Sequence, residues 1–351
     1  QNAFGVALKV SLVQAGPFDA IVEFTQGLNV HYQDRLLGQI AMPNVTLVGD
    51  VGSTLDLQAD FRVADTDFME QFAVRLLSDP SFVWNIQAEG LTAYALGIAV
   101  PNVTISKDVI LTGFNGLKGD VIINSFDLPA NDPAGGVSLT VAATINSGSQ
   151  VGVQLSRFGT NIVANGTMLG PSSAANEFTL LPLAQTPVSL VGRLVPQNAQ
   201  QDLDTLGNIF TRFVHDQNTM VQVQGQYAGP DSVTWLNNAI RTLTIDVALP
   251  SQNFQVIKMI TLTQLSLAFT QGTAWAPATS TTNTTAPFFL PFAFPIDITQ
   301  ATGAFIANYQ GQDAAVLNVP PVAARTDVAT RVLTLAFEDI PFQVYDDKHA
   351  V

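Results

Sequence analysis

The sequence predicts a mainly β protein built from tandem antiparallel β repeats, and three observations support this prediction. Apolar and polar residues alternate with period two in many segments, for example at residues 7–12, 54–61, 137–141 and 260–265. Such alternation is typical of strands with one face on a core and one face in water. Helical periodicity occurs in only two segments. A hairpin pattern also occurs three times along the 351 residues.

The first helix is predicted at about residues 66–77. Asp67 and Glu70 resemble a capping box at its start, and Pro80 follows its end. The polar face is not rich in Lys or Arg, as it is in membrane-surface helices, so we expect the apolar stripe to face the core. The stripe consists of Phe68, Met69, Phe72, Ala73, Leu76 and Leu77.

The second helix is predicted at about residues 198–215. Asp202 and Asp204 lie near its start, where the helix dipole favours carboxylates. Phe213 of this helix, like Phe72 of the first, is expected to be a core residue. The stripe consists of Leu203, Leu206, Ile209, Phe210, Phe213 and Val214.

The hairpin pattern divides the chain into repeats. Each copy has a strand, a turn containing Gly and a second strand, and the copies span residues 28–42, 151–164 and 294–307. Strands and a helix follow the first two copies, whereas the third copy is followed only by strands. The predicted domains are repeat one at residues 1–112, repeat two at 113–252 and a partial third repeat at 253–351.

The composition excludes several classes of function. Acidic residues outnumber basic ones, 28 to 14, and the few bases are scattered, so the chain lacks the basic surface of a nucleic-acid-binding protein. The absence of cysteine excludes disulfides, thiolate metal sites and cysteine nucleophiles. No uncharged stretch is apolar enough to predict a transmembrane helix, so we expect no transmembrane segment in this chain.

Four sequons for N-glycosylation indicate the secretory pathway. Asn44 and Asn165 occupy matching places after the hairpins of repeats one and two. The chain also begins at Gln1 without methionine, as a processed chain or an expressed fragment would. The alternative is that the sequons are merely polar residues at strand edges. The predicted location is secreted, at the cell surface or in the vacuolar lumen, and the predicted glycosylation sites are Asn44, Asn102, Asn165 and Asn283.

No motif in the sequence predicts catalysis, a metal site or a cofactor. The only histidines are His31, His215 and His349, and they lack the spacing of a zinc site or the motif of a catalytic triad. Asp65 with Asp67, and Asp346 with Asp347, lack the ligand spacing of a known calcium loop. We therefore predict a protein without enzymatic activity, and the alternative is a hydrolase with an unrecognised pair of carboxylates.

A segment rich in proline and phenylalanine, PFFLPFAFP at residues 287–295, is the most unusual part of the sequence. Three prolines at a spacing of four exclude a helix interior and a central strand. Two interpretations remain: the phenylalanines pack beneath the third repeat, or they form an apolar contact patch for a lipid, a cell-wall polymer or a second chain. The candidate patch residues are Phe288, Phe289, Phe292 and Phe294.

The central part of the chain resembles a known family. LTVAATINSGSQVGVQLSRFGTNIVANGTMLG, at residues 139–170, resembles the group-two late-embryogenesis-abundant (water-stress) domain, with Asn146-Ser147 where that family usually has Asn-Pro. Together with the preceding NVTISKDVILTGFNGLKGDVIINSFDLP it is similar to a fungal domain of unknown function found in predicted single-pass membrane proteins. The resemblance covers residues 102–250. It implies tandem immunoglobulin-like antiparallel β-sandwiches, each with one flanking amphipathic helix, and in some relatives a proposed lipid-binding groove.

These observations predict a non-enzymatic secreted or cell-surface glycoprotein with a structural or adhesive role. The alternative is a lipid-binding module with a groove between sheet and helix. Because the third repeat stops before its helix, we expect it to expose a strand edge. No lysine occurs between residues 258 and 348 to protect such an edge. A second copy can then add a strand, which predicts self-association into an oligomer or filament.

Overall fold

The computed structural model describes residues 2–12, 16–251 and 255–349. Strands contain 57% of the residues and helices 12%, so the predicted mainly β class is confirmed. The sheets are antiparallel and curled. Two compact units are present: unit 1 lies within residues 1–126, 139–206 and 218–250, and unit 2 lies within residues 127–138, 207–217 and 251–351.

The first sheet has eight strands and belongs to unit 1. Its order is β1-β6-β4-β3-β7-β2-β5, and β8 pairs with β7. The strands are β1 (Ala3–Leu12), β2 (Ala20–Glu23), β3 (Leu28–Tyr32), β4 (Arg35–Ile40), β5 (Val45–Leu47), β6 (Ser53–Val63), β7 (Ser81–Ala95) and β8 (Ile98–Thr112).

The second sheet has seven strands in the order β17-β16-β12-β13-β15-β10-β9, and β11 pairs separately with β14. These strands are β9 (Val121–Asp127), β10 (Val137–Asn146), β11 (Val153–Leu155), β12 (Phe158–Ala164), β13 (Thr167–Ala174), β14 (Phe178–Leu180), β15 (Gln185–Leu194), β16 (Thr219–Ala228) and β17 (Thr244–Leu249).

The third sheet has six strands and belongs to unit 2. Its order is β18-β20-β23-β22-β21, and β19 pairs with β20. Within the alternating run at 260–265 only residues 261–263 form a strand, because Gln264 after them has a left-handed φ of 55°. The strands are β18 (Thr261–Thr263), β19 (Ser266–Ala268), β20 (Ala278–Pro287), β21 (Gln300–Tyr309), β22 (Gln312–Asp327) and β23 (Val332–Val344).

Three α-helices accompany the sheets: α1 (Thr66–Ser78), α2 (Gln200–Val214) and α3 (Thr234–Arg241). The first two lie where the apolar stripes predict them, and α3 was not predicted because its eight residues are too few for a clear period. The predicted capping box of α1 is wrong. The cap is Asp65, whose Oδ1 accepts from the backbone N–H of Asp67 at 2.9 Å and of Phe68 at 3.1 Å. Among the described residues, no helix combines the length and the apolarity needed to span a bilayer.

The core of unit 1 is aromatic. Phe72 of α1 is only 1% exposed, and its ring lies 5.2 Å from that of Tyr32 and 5.3 Å from that of Phe82. Trp235 of α3 belongs to the same cluster and lies 5.9 Å from Phe4. The prediction that Phe72 is a core residue is confirmed. The boundaries predicted for the three repeats stay a prediction.

The hairpin repeat is confirmed only in its first copy. There β3 and β4 pair through a two-residue turn, Gln33-Asp34, with φ of 49° and 60°.

In the second copy β11 pairs with β14, whereas β12 pairs with β13 through the turn Asn165-Gly166. Asn-Gly is a stronger signal for a tight hairpin turn than the residues before β12. In the third copy residues 294–298 form no strand, because Pro291 and Pro295 lack the N–H groups that a strand ladder requires.

Candidate functional site

Three edge strands of ten or more residues occur in the part of the chain that the structure describes: β1, β8 and β21. An edge strand presents N–H and C=O groups without strand partners, so it can pair with a strand of another chain. Native proteins protect such edges with lysine, proline or a bulge. The three strands differ in whether they carry these features.

The two long edge strands of unit 1, β1 and β8, are protected. Strand β1 has the exposed Lys9, opposite Asp56 of β6. Strand β8 contains Pro101 and Lys107, and its register with β7 shifts near Asn102, whose φ is 58°. The shift places an extra residue on β8, so the strand bends at that point.

The long edge strand of unit 2, β21, is unprotected. Strand β21 has the sequence QATGAFIANY, with neither a charged residue nor a proline. Its side chains alternate: Ala301 and Phe305 pack against the core of unit 2, whereas Ile306 on the other face is 55% exposed. Both register shifts with β22 put the additional residue on β22. The outer edge of β21 therefore presents its N–H and C=O groups at the regular spacing of a strand without a bulge.

Contacts at both ends hold β21 in place. A tight turn, Gln310-Gly311, with φ of 52° and 82°, joins β21 to β22. Just before β21, the backbone N–H of Ile298 donates to the hydroxyl of Thr326 at 2.8 Å, and that hydroxyl donates to the carbonyl of Ile298 at 3.1 Å. Because the strand is already ordered, an added strand loses little further conformational entropy in β21 itself.

An open depression of about 470 Å³ lies along β21 and β22. Residues 302–304 and 318–320 line it, and the hydroxyl of Thr302 donates to the carbonyl of Val319 at 3.0 Å. Strand addition takes affinity from main-chain hydrogen bonds and specificity from pockets for alternate side chains. The depression lies over β21 and β22, the strand with which β21 already pairs.

The segment rich in proline and phenylalanine is largely packed inside unit 2. Phe288 and Phe292 are buried, Phe294 is half-buried, and Phe289 is 52% exposed. The ring of Phe292 lies 5.1 Å from that of Phe213, in the half of α2 that belongs to unit 2. These positions favour the packing interpretation for three of the four rings. A contact patch centred on Phe289 stays a prediction, and the prediction that Phe213 is buried is confirmed.

Arg331 fixes the path of this segment. Its guanidinium donates to the carbonyl of Leu290 at 2.9 Å and to the carbonyl of Phe292 at 2.5 Å. Arg331 lies in the turn between β22 and β23, where Asp327 Oδ1 accepts from the backbone N–H groups of Ala329 and Thr330. The hydrogen bonds from Thr330 lower the pKa of the Asp327 carboxyl below its usual value. One turn thus holds both the β22–β23 connection and the Pro-Phe segment.

The ionisable groups do not form a metal-binding constellation in the described residues. No group of three or more His, Asp or Glu residues there lies close enough to hold a metal ion. In unit 1 the charge of Glu23 raises the pKa of Tyr94, whose hydroxyl donates to Glu23 Oε2 at 3.2 Å. Both this pair and Asp327 are on the surface.

The three histidines are separate from one another in their contacts. His31 lies in β3, His215 Nδ1 contacts the carbonyl oxygen of Thr211 at 2.7 Å, and His349 stacks on Trp275. Each therefore has a local environment of its own.

The predicted glycosylation sites differ in accessibility. Asn44, Asn102 and Asn165 are exposed, and Asn165 is the first residue of the tight turn between β12 and β13. Asn283 is half-buried in β20, and its Oδ1 atom is buried. Glycosylation at all four positions stays a prediction, and the first three are the better placed to carry a glycan.

Comparisons with known proteins give one family match. Residues 35–162 match a family model described as "Protein of unknown function (DUF3712)". No curated protein matches the chain. A solved structure described as "Crystal structure of YadV chaperone at 1.63 Angstrom" is 13% identical and covers 71% of this chain and 100% of its own, with a TM-score of 0.19. That similarity carries no inference about fold or function.

Proposed function

We propose that this chain is a non-enzymatic structural or adhesive glycoprotein of tandem immunoglobulin-like β-sandwiches, whose copies join by strand addition at β21. The observation that carries the proposal is the unprotected outer edge of β21, which has ten residues without charge or proline. The partner is a second copy of the same chain.

The length of β21 suits strand addition. Ten residues extend over about 34 Å. In an antiparallel ladder about half of them direct an N–H and a C=O outward, which gives about ten groups for an incoming strand. Each hydrogen bond contributes about 0.5–1.5 kcal/mol net, and exposed Ile306 adds apolar contact on the outer face. The absence of charge on β21 also removes like-charge repulsion between two copies of the strand.

The symmetry of the contact decides the assembly. If β21 of one copy pairs with a different strand of the next copy, the contact is head to tail and leads to a filament. If β21 pairs with β21, the contact is isologous and closes as a dimer. A surface rich in polar uncharged residues and low in charge suits either assembly, and electron microscopy distinguishes a filament from a dimer.

The secreted or cell-surface location is part of the proposal, and the vacuolar lumen is its variant. It is supported by the exposure of Asn44 and Asn165. Intact glycopeptide mass spectrometry on the native protein is expected to find glycans at both. Finding both residues bare contradicts this location.

The alternative of a lipid-binding module requires an open groove between sheet and helix. In unit 1 aromatic rings occupy the space beneath α1: Phe72 lies 5.8 Å from Trp84, and Phe82 also lies 5.8 Å from Trp84. The aromatic packing therefore supports the structural role over the lipid-binding one.

The experiment compares the full 351-residue chain with two lysine variants by sedimentation velocity over a concentration series and by electron microscopy. Ile306→Lys places a charge on the open edge of β21. Ile110→Lys makes the same change on β8, where Ile110 is 73% exposed but the edge is already protected. We expect the wild type to associate, I306K to weaken association at least about tenfold, and I110K to associate as the wild type does.

Two results contradict the proposal. One is a wild-type chain that stays monomeric at every concentration and whose β21 resists protease. The other is an equal loss of association in I306K and I110K, since a general effect of added charge then explains both. Far-ultraviolet circular dichroism of the variants verifies that each remains folded.

A further inference from the structure

Unit 2 has a second open depression, of about 330 Å³, next to the end of β23. The loop of residues 271–276 forms one side of it, and Gln343, Asp346 and His349 form the other. The rings of Trp275 and His349 stack with centroids 4.3 Å apart and planes 8° from parallel. An aromatic surface with polar groups beside it is the usual composition of a small-ligand site.

Trp275 is the most exposed of the three tryptophans. It is 47% exposed, whereas Trp235 is buried and the indole nitrogen of Trp84 is also buried. The exposed part of the indole ring is therefore accessible to a ligand at this depression.

The loop holds this ring in position before any ligand binds. The carbonyl of Trp275 accepts from the backbone N–H of Val344 at 2.9 Å, and the N–H of Ala276 donates to the carbonyl of Thr273 at 3.1 Å. Thr270 and Thr273 share a hydroxyl–hydroxyl contact at 2.7 Å. Stacking with His349 fixes one face of the indole, so binding orders few additional groups.

The polar groups of the depression match a polyhydroxylated ring. The amide of Gln343 offers both donors and an acceptor, and the carboxylate of Asp346 is an acceptor for hydroxyl groups. A β-linked glucopyranose has equatorial hydroxyls and axial C–H groups, so it presents an apolar face to an indole and hydroxyls at its rim. The carboxylate of Asp346 disfavours anionic sugars, whereas that of Asp347 is paired with the Lys348 ammonium at 3.3 Å.

We infer that this depression binds a neutral β-linked glycan, with one sugar ring stacked on Trp275 and its hydroxyls bonded to Asp346 and Gln343. The inference goes beyond the assembly function, because it uses none of the residues of β21. Glycan binding and strand addition can each fail while the other stands.

The test is a titration of the full chain with cellohexaose, laminarihexaose and chitohexaose, followed by isothermal calorimetry and tryptophan fluorescence. A site with one stacked ring and a few hydrogen bonds gives a Kd on the order of 1 mM. We expect saturable binding of at least one of the three oligosaccharides, with a change in Trp275 fluorescence. Oligogalacturonate, which is anionic, is expected not to bind.

Variants assign the binding to this site. Trp275→Ala is expected to weaken binding at least about tenfold, and Asp346→Asn, which keeps an acceptor oxygen, is expected to weaken it less. Phe18→Ala removes an exposed aromatic ring from unit 1 and is the matched control, with unchanged binding. Circular dichroism and the emission of half-buried Trp84 and buried Trp235 verify folding. The inference is wrong if none of the three neutral oligosaccharides binds, if W275A binds as the wild type does, or if only the anionic oligosaccharide binds.

Discussion

Unit 1 and unit 2 close their cores by different means. In unit 1 two helices contribute large rings, so Phe72 of α1 and Trp235 of α3 belong to one buried cluster. In unit 2 the irregular Pro-Phe segment contributes to the core through Phe288, and Arg331 fixes its path by hydrogen bonds to two backbone carbonyls. The core of unit 1 is therefore closed by the packing of apolar side chains. The core of unit 2 is closed by such packing together with the hydrogen bonds of one charged side chain, Arg331.

The long edge strands of the two units also differ, because one carries protective features and the other does not. Strand β8 of unit 1 has Pro101, a bulge near Asn102 and Lys107, whereas β21 of unit 2 has no such feature. Because protection costs regular hydrogen bonding, it is expected on edges that must stay single. The contrast teaches that one chain can keep some edges closed to partners while leaving another open.

The largest expected effect is on the packing of unit 1. Phe72→Ala removes a buried ring that contacts three other aromatic rings, Tyr32, Phe82 and Trp84. We expect the free energy of unfolding of unit 1 to fall by about 3–5 kcal/mol. Denaturant titration, followed by Trp84 and Trp235 fluorescence in a W275F background, measures this loss.

The control for this prediction lies on the same helix. Arg75 is 60% exposed and pairs with Asp79 at 3.7 Å, so Arg75→Ala is expected to cost less than about 1 kcal/mol. A loss below about 1 kcal/mol for F72A, or equal losses for both variants, contradicts the view that packing under α1 stabilises unit 1.

The next effect tests the dependence of unit 2 on Arg331. Arg331→Ala removes the hydrogen bonds to Leu290 and Phe292, and a hydrogen bond from a charged donor contributes about 1.5–3 kcal/mol. Because Arg331 is only partly buried, we expect a total loss of about 2 kcal/mol, read from Trp275 fluorescence in unit 2. Arg331 has a left-handed φ of 55°. Arginine and alanine both disfavour that conformation, so the difference in stability between R331A and the wild type reports the loss of the side-chain hydrogen bonds.

Arg331→Lys is the matched variant for this experiment. Lysine keeps the charge but not the planar geometry that reaches two carbonyls at once, so we expect an intermediate loss. If R331K and R331A have the same stability as the wild type, the Pro-Phe segment is held by its ring packing alone.

Local patterns predicted most of the elements. Period two gave the strands, and the stripes of α1 and α2 were visible because both helices are at least 13 residues long. Strand pairing was harder, because it depends on which turn forms. Asn165-Gly166 decides the pairing of β12 with β13, and a distant segment supplies the partner of β11. Neither fact is contained in the periodicity of a single segment.

The candidate sites were predictable to different degrees. An open edge in the third repeat was expected because that repeat stops before its helix, and the absence of lysine between residues 258 and 348 leaves such an edge unprotected. That Phe288 and Phe292 are buried while Phe289 is exposed depends on the fold of an irregular segment, which carries no period. The stacking of Trp275 on His349 joins residues far apart in the sequence, so no local pattern indicates it.

The smallest expected effect is on the pH dependence of stability, which differs between the two units. In unit 2 the folded-state pKa of Asp327 is lowered by hydrogen bonds from Thr330. Its contribution is present above the unfolded value of about 3.9 and is lost as pH falls through the folded pKa. In unit 1 the pKa of Tyr94 is raised by the charge of Glu23. Its contribution is present below about 10 and is lost as pH rises through the folded pKa.

Acid is therefore expected to weaken the β22–β23 turn in unit 2, and alkali is expected to act at Tyr94 in unit 1. Both groups are fully exposed, so each effect is small against the loss in F72A. Unfolding midpoints measured across pH for Asp327→Asn and Tyr94→Phe separate the two contributions, because each variant removes one titration. D327N is expected to reduce the acid dependence alone, and Y94F the alkaline dependence alone. If D327N leaves the acid limb unchanged, the turn that positions Arg331 does not depend on the Asp327 carboxylate, and the hydrogen bonds of Arg331 then stabilise the Pro-Phe segment without it.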